Sequence, residues 1–516
     1  MNVLLCGLAG NPALPAGLID RLIAVADTEV ADTLARRPDL GRDQALALVS
    51  RVEDSAVPLA YAGRLTAADI DPVARPDAAL ALLDAGAGDP RWARLLAADP
   101  DARRRERLAA CPGLPPDVVE ALAADQELGV VKELALWNTS GVLATLAAHP
   151  HTAVRRAVAA NAAAPPAVLA ALVTGGGLPP VRRCPGCDQE ETPFAHGSWG
   201  PPEDGDPPPD APCDGTHRSA VHDLLLAALG NPATPVEAVA GLAGHPSPLL
   251  RRVLAGRPDL PPDVCRRLAA DPVTGVRAEL AAGGPVDDAL ARALAGDGDQ
   301  GVRRMLAHNP RVPLDVLTAL AGTTRTGTGP LPRIAAASPG EVEELARSRD
   351  PAARMLLGRV RGLPATILDA LAADPDAKVV ASVAAHPGLT EARLRAMVDR
   401  HGARVAAMVA SNPDATPALL EELAGREPPV RTALREIARH PRASAPALLA
   451  CLEDARARPV AAAHPALPPA VVIELLGDAD WQVAQSAAAN PSLPRAAMSR
   501  LLAGSRVTAG PAGVPR

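Results

Sequence analysis

Four residues between positions 184 and 217 have the types and the spacing of a metal site. Cys184 and Cys187 form a Cys-x2-Cys pair around a Pro-Gly dipeptide, and Cys213 is followed four residues later by His217. Zn²⁺ binds thiolates and imidazoles, and a tight turn lets both thiolates of such a pair reach one ion. We therefore predict that Cys184, Cys187, Cys213 and His217 bind one structural Zn²⁺ in a closed Cys₃His site.

The segment that carries these residues, 174–220, differs in composition from the rest of the chain. It contains ten prolines and eight glycines and has no helical periodicity. Such a segment buries little apolar surface, and a bound metal ion would supply the missing stabilisation. His196 and His222 are the reserve ligands. The alternative interpretation is a disordered linker whose cysteines bind nothing.

Cys213-Asp-Gly-Thr-His217 also resembles the CDGSH iron–sulfur motif, whose family binds a [2Fe–2S] cluster through three Cys and one His. The upstream pair differs, because that family has Cys-x-Cys close by, whereas the pair here is a Cys-x2-Cys that ends far upstream, at Cys187. The resemblance implies an iron–sulfur cluster as the alternative to Zn²⁺. It also implies a redox or metal-sensing protein as the alternative function.

Most of the chain is a repeat with a period of about 26 residues. Segments that begin at Asn231, Arg257, Gly283 and Asn309 start at one constant interval, and their apolar residues recur at steps of three and four. This spacing is typical of two short amphipathic helices in each unit, which only stacking on neighbouring units can stabilise. We expect contacts between neighbouring units only. The predicted core positions are Val264, Leu268, Val276, Leu280, Leu290, Leu294, Val302, Leu306, Val316 and Leu320.

The repeat pattern resembles that of the leucine-rich repeat variant family, which is related in shape to HEAT repeats. The segments 309–321 and 149–161 match its two halves. The resemblance is weakest at residues 50–100 and 323–360 and is interrupted at 174–220. It implies an all-α, right-handed superhelical solenoid in which an α-helix alternates with a second, often 3₁₀, helix. At this period the chain holds about eighteen repeats.

We divide the chain into four parts on this basis. Residues 1–173 form an N-terminal repeat array, and residues 174–220 form the Pro/Gly-rich insertion with its Cys and His residues. Residues 221–503 form a C-terminal repeat array, and residues 504–516 are predicted to be a flexible tail.

Five histidines stand directly before a proline, at the repeat position that other units give to Asn. The interchange of His with Asn favours a structural role, because both side chains can bond to free backbone groups of a turn at a helix end. The alternative is a row of bases or metal ligands. The histidines are His149, His245, His386, His440 and His464.

Arginines recur with the same period, and stacked repeats would align them in a stripe that could bind phosphates. Acidic residues alternate with them, and the aromatic side chains that would stack on bases are scarce. We therefore favour a salt-bridged ridge over a nucleic-acid interface. The periodic arginines include Arg155, Arg277, Arg303 and Arg404.

Composition excludes several classes of protein. Aromatic residues make up 1% of the chain, namely one Phe, one Tyr and four Trp, which suits thin helical layers better than a compact core. No nucleotide-binding or hydrolase motif occurs, and Cys6, Cys111, Cys265 and Cys451 fit small buried side chains. No signal peptide or membrane span is evident, and the net charge of −7 is modest.

These observations predict a cytoplasmic, non-enzymatic scaffold that binds a protein partner and carries a structural metal site in its insertion. Binding of nucleic acid through the arginine stripe is the less favoured alternative. No membrane association is expected, and the sequence does not identify the partner.

Overall fold

The computed structural model describes residues 2–139, 141–180, 218–327, 329, 331–360 and 362–504. Within these ranges the chain forms 35 α-helices and no β-strand, which confirms the predicted all-α class. The helices group into two compact units. The first unit comprises Met1–Asp69 and Ile334–Arg516, and the second comprises Ile70–Arg333.

The α-helices are α1 Asn2–Ala9, α2 Ala16–Ile23, α3 Thr28–Ala35, α4 Arg42–Arg51, α5 Ala56–Tyr61, α6 Pro76–Asp84, α7 Arg91–Ala97, α8 Ala102–Ala109, α9 Pro116–Ala123, α10 Leu128–Trp137, α11 Val142–Ala147, α12 Thr152–Ala160, α13 Pro166–Thr174, α14 Arg218–Gly230, α15 Val236–Val239, α16 Pro248–Ala255, α17 Pro262–Ala269 and α18 Thr274–Gly283. They continue with α19 Asp288–Ala295, α20 Gln300–Leu306, α21 Leu314–Thr323, α22 Pro332–Ala335, α23 Pro339–Ala346, α24 Pro351–Leu357, α25 Ala365–Ala372, α26 Ala377–Val383, α27 Glu391–His401, α28 Ala403–Ala410, α29 Pro417–Ala424, α30 Arg431–Arg439, α31 Ala445–Cys451, α32 Arg458–Ala463, α33 Pro469–Leu475, α34 Trp481–Ala489 and α35 Arg495–Gly504. The described residues also form the 3₁₀ helices η1 Glu53–Ser55, η2 Ala67–Asp69 and η3 Ala240–Gly244.

Each repeat holds a first helix, which we call the A helix, and a second, the B helix. In the repeat formed by α17 and α18, Pro262 occupies the first turn of the A helix, where a missing N–H leaves no helical bond unmade. Residues 270–273 form the turn between the two helices, which we call the A–B turn. An Asp often starts the B helix, as Asp299 does by accepting hydrogen bonds from the backbone amides of Gly301 and Val302.

The predicted core positions are buried. Val276, Leu280, Val302 and Leu306 have no exposed surface, and the remaining predicted positions are at most 9% exposed. The apolar period therefore identified the buried face of both helices correctly. Leu, Val and Ala fill this core almost alone.

The B helices pack side by side, α16 against α18 and α18 against α20 in the second unit. A buried side chain at the turn after many of the B helices joins the helix to the preceding repeat. Asn309 Nδ2 donates to the carbonyl oxygens of Ala281 at 2.9 Å and Gly284 at 3.0 Å, while its Oδ1 accepts from the amide of Arg311 at 2.8 Å. We call Asn309 and its equivalents the ladder residues.

The first and the last helices that the structure describes meet within the first unit. Asn11 Nδ2 donates to the carbonyl oxygens of Ala488 at 3.0 Å and Asn490 at 2.7 Å, so this ladder bond joins α1 to α34. Helix α1 also packs against α35. The expectation that only units adjacent in sequence would touch is therefore wrong at the chain ends. Helices α35 and α1 together take the places of the A helix and the B helix of one repeat.

Two further observations concern the weaker repeats and the helix type. The compact units divide at residues 69/70 and 333/334, inside the two segments where the repeat pattern is weakest. Most paired helices of both types are α-helical, whereas the family resemblance implied that one of each pair would often be 3₁₀.

Candidate functional site

The predicted zinc ligands lie outside the described residues. This applies to Cys184, Cys187, Cys213 and His217, and also to the reserve ligand His196. The described ranges contain no group of three or more His, Cys, Asp or Glu side chains that could hold a metal ion. The metal site therefore stays a prediction.

The described residues do show where the insertion leaves the repeats. Helix α13 ends at Thr174 and α14 begins at Arg218, so the insertion takes the place of an A–B turn. After it, Asn231 Nδ2 donates to the carbonyl oxygens of Ala159 at 2.9 Å and Asn161 at 2.8 Å. The ladder bond across the insertion is thus the same as in uninterrupted repeats, and α14 packs against α12.

The second reserve ligand, His222, has a place in the repeat packing. Its Nε2 lies 2.7 Å from the hydroxyl oxygen of Ser247, which in turn accepts from the amide of Leu250 as the N-cap of α16. Burial lowers the pKa of His222, which favours the neutral imidazole. To bind a metal through Nε2, His222 would have to give up this hydrogen bond.

Arg155 lies next to the insertion and is 7% exposed. Its Nε donates to the carbonyl oxygen of His149 and its Nη2 to that of Pro179, both at 2.7 Å. In a repeat with an ordinary A–B turn, the equivalent Arg251 pairs with Asp271. The insertion has therefore replaced the turn that would place a carboxylate beside Arg155, and burial lowers the pKa of its guanidinium.

Three of the histidines before proline are ladder residues. Nδ1 of His440 and of His464 accepts from the backbone amide two residues later, at 3.1 Å in each case. Their Nε2 atoms lie 2.9 Å from the carbonyl oxygen of Asn412 and 3.0 Å from that of His440. Nε2 of His386 makes the same kind of contact with Gly358 O. His440 and His464 thus use both ring nitrogens to bond backbone groups, which confirms the structural interpretation for these two residues, and His386 makes the Nε2 contact alone.

The other two histidines lie in A–B turns, so the expectation that all five share the Asn position is wrong for them. His149 and His245 precede Arg155 and Arg251 by the interval that separates Asp271 from Arg277, and each gives its carbonyl oxygen to that arginine. Their Nδ1 atoms accept from the amide two residues later, as the Asp271 carboxylate does. Their role is structural too, because imidazole and carboxylate can both accept a bond from a turn amide.

An arginine in the first turn or two of a B helix commonly pairs with an aspartate 20 residues later, in the next A–B turn. Arg277 Nε lies 2.7 Å from Asp297 Oδ2, and both side chains are less than one-fifth exposed. The hydrogen bonds from Arg277 lower the pKa of the Asp297 carboxyl. An arginine paired in this way offers little free positive charge to a phosphate group. Equivalent pairs are Arg105–Asp125, Arg251–Asp271, Arg354–Asp374 and Arg458–Asp478.

Sequence reasoning missed these aspartates as partners of the arginines. The signal that could have identified them is the constant interval of 20 residues. It leads from each of these arginines in a B helix to an aspartate in the A–B turn of the next repeat.

The repeat cysteines are poor nucleophiles. Cys111, Cys265 and Cys451 are buried, as predicted, and Cys6 is partly buried. Burial raises the pKa of Cys111 and that of Cys451 to about 12, so both are thiols at neutral pH.

Three large aromatic side chains among the described residues are more than half exposed. Tyr61, Trp137 and Trp481 are 53%, 59% and 58% exposed. Trp481 is the first residue of α34, directly after its N-cap Asp480, and Gln300 takes the same place in α20. The same place is taken by Ala102 in α8 and by Ala377 in α26, so the large aromatic side chain of Trp481 was the sequence signal for this surface.

The outward side chains of the B helices differ from one repeat to the next. The residue three positions before a ladder residue is aliphatic and buried, as in Leu306, Val409, Ile437 and Ala487. The residue before that one faces solvent at least in part and changes in charge and size, as in Met305, Met408, Glu436 and Ser486. The chemistry of the B-helix surface therefore varies from repeat to repeat.

No helix in the described ranges has the length and apolarity needed to cross a membrane. Comparison of the chain with protein-family models and with curated proteins finds no match to either.

Proposed function

We propose that this chain is a non-enzymatic scaffold of the cytoplasm that binds a protein partner through the exposed surface of its repeats. The two-helix units would stack as a right-handed solenoid of about eighteen repeats, as their resemblance to the leucine-rich repeat variant family implies. The insertion would hold a structural Zn²⁺.

The exposure of Trp137 and Trp481 is the observation that carries this proposal. The core of the described residues is built mainly from Leu, Val and Ala, and more than half of the surface of each tryptophan lies outside it. A solvated indole ring leaves a large apolar surface in water, and tryptophan is enriched among the residues that contribute most to protein–protein binding. Both rings therefore suit contact with a partner.

Two other features agree with a binding surface of this kind. The varied outward residues of the B helices give each repeat its own local chemistry, which a specific partner can recognise. The pairing of Arg251, Arg277 and Arg354 with aspartates reduces the free positive charge at three positions of the arginine stripe, and a nucleic acid would need that charge. A protein is thus the better supported partner.

The test is partner capture from the native host with the full chain as bait, followed by a direct affinity measurement with the purified partner. Trp481→Gln and Trp137→Ala should each weaken that affinity by at least about tenfold, as the loss of a central aromatic contact does. Gln300→Ala is the matched control, because Gln300 occupies the repeat position of Trp481.

An unchanged affinity in both tryptophan variants would contradict the assignment of this surface. An equal loss in Gln300→Ala would mean that the effect is not specific to the aromatic residues. Circular dichroism of each variant checks that the helices are intact.

The proposed metal site is tested by elemental analysis of chain purified without added metal or a metal-binding tag. We expect one equivalent of zinc, lost in both Cys184→Ser and Cys213→Ser, because each removes one of four ligands. Iron with acid-labile sulfide would favour the iron–sulfur alternative. A metal-free chain would contradict both forms of the site.

Replacement of residues 174–221 by the four-residue turn Ala-Asp-Pro-Val, which places the aspartate 20 residues after Arg155, separates the scaffold from the metal site. That turn occurs at residues 270–273, and its Asp271 pairs with Arg251. The grafted aspartate should give Arg155 the same kind of partner. We expect a fully helical, metal-free chain that still binds the partner, and loss of partner binding would show that the insertion belongs to the interface.

A further inference from the structure

The repeat at the chain ends is built from two pieces. Its A helix is α35, at the carboxyl end, and its B helix is α1, at the amino end. The bonds of Asn11 to Ala488 O and Asn490 O repeat those of Asn490 to Ala462 O and His464 O, which measure 2.8 and 2.9 Å. Helix α1 therefore occupies the place of an ordinary B helix.

The contact between α1 and α34 is close. A Cβ atom added to Gly7 would lie 2.3 Å from the carbonyl oxygen of Gln485 and 2.9 Å from Cβ of Ala488, well inside normal contact distances. Other B helices have Glu279 or Met408 at this position. Glycine here lets the two helix backbones approach, while Leu8 is fully buried beside it.

The connection between the two helices distinguishes this repeat from the others. Four residues join α17 to α18, whereas α35 and α1 lie at opposite ends of the chain. Leu4, Leu5, Leu501 and Gly504 line a common apolar cavity on the two helices. No covalent turn limits how far the two helices can separate once their contact is broken.

We propose that the contact of α1 with α34 and α35 is a latch, which closes the two chain ends on each other and opens independently of the other repeat contacts. Opening would expose the faces of α1 and α34 that carry Leu8 and Ala488. Coupling in a repeat array is between neighbours, so the effect of opening should fade within about one or two repeats.

Hydrogen–deuterium exchange of the full chain tests this proposal through the substitution Gly7→Leu. The added side chain cannot fit against Gln485 O, so amides of α1, α34 and α35 should exchange about ten- to a hundredfold faster. Amides of α28 and α30 should keep their rates. Gly17→Leu is the matched control, because a Cβ at Gly17 in α2 meets no atom within 4 Å.

A circular permutant provides a second test that does not depend on a damaging substitution. Gly504 is joined to Asn2 through Ala-Asp-Pro-Val, and new ends are placed between residues 196 and 197 in the insertion. A tethered latch recloses faster, since the helices stay at high effective concentration, and its open state is therefore less populated. Exchange of α1 and α35 should therefore be at least about tenfold slower than in a linear chain that ends at Gly504.

Two results would overturn the latch. Faster exchange throughout α23 to α35 in Gly7→Leu would show that the contact does not open by itself. Unchanged exchange of α1 and α35 in the permutant, with the same helical content as the linear chain, would show that these helices do not separate.

Discussion

Removal of one ladder residue should weaken a single contact between repeats by a predictable amount. Asn309 has no exposed surface and makes three hydrogen bonds, two to carbonyl oxygens of the preceding repeat and one from the amide of Arg311. Asn309→Ala leaves all three backbone groups without this partner. At about 1 kcal/mol for each bond, the free energy of unfolding should fall by about 3 kcal/mol.

Two further substitutions at Asn309 separate hydrogen bonding from size. Asn309→His should cost less than Asn309→Ala, because His440 already serves as a ladder residue with one donor and one acceptor. Asn309→Asp should cost more at neutral pH, since a carboxylate would face two carbonyl oxygens at about 3 Å with no proton to donate. The loss in unfolding free energy should therefore be smallest for Asn309→His, larger for Asn309→Ala and largest for Asn309→Asp.

Urea unfolding followed by circular dichroism measures the overall loss, and hydrogen exchange of α18 to α21 locates it. Local measurement is needed because a long repeat array does not have to unfold in one step. A loss below about 0.5 kcal/mol for Asn309→Ala, or equal losses for Ala and Asp, would refute the role of the ladder bonds.

Three other perturbations have definite expected outcomes. Burial lowers the pKa of His464 below 6.5, so the unfolded chain binds the proton first and unfolding free energy should fall as the pH drops below about 6.5. His464→Asn should reduce this loss, as measured by urea midpoints at about pH 7.5 and 5.5, and an unchanged pH dependence would contradict the assignment. Arg277 lowers the pKa of Asp297, so that pair stabilises the fold above the ordinary aspartate pKa of about 3.8 and the contribution is lost as the pH falls through the lower folded value. Asp297→Asn should accordingly cost about 1.5 to 3 kcal/mol at neutral pH and much less near pH 2, and an equal cost at both pH values would argue against the ion pair. Leu306→Ala should cost about 2 to 5 kcal/mol with faster exchange confined to α18 to α21, whereas the surface change Gln300→Ala should cost less than about 0.5 kcal/mol.

The sequence alone predicted the helical class, the two-helix unit and the buried positions. Val276, Leu280, Val302 and Leu306 were identified from spacing, since the apolar period of a helix and the period of the repeat are local properties of the chain. The exchange of Asn with His before proline likewise predicted a structural role, and His440 and His464 have one. The metal ligands were predicted from their types and spacing, and that prediction still awaits its test.

The tertiary structure alone decided which groups meet across repeats. Asn309 could have bonded within its own turn, but its Nδ2 reaches carbonyl oxygens of the preceding repeat because the stacked B helices bring that turn within hydrogen-bond distance. The pairing of Arg277 with Asp297 depends on the same stacking. The contact of Asn11 with Asn490 joins residues from opposite ends of the chain. No local pattern encodes this contact, because it depends on where the packed repeats bring the two ends of the chain.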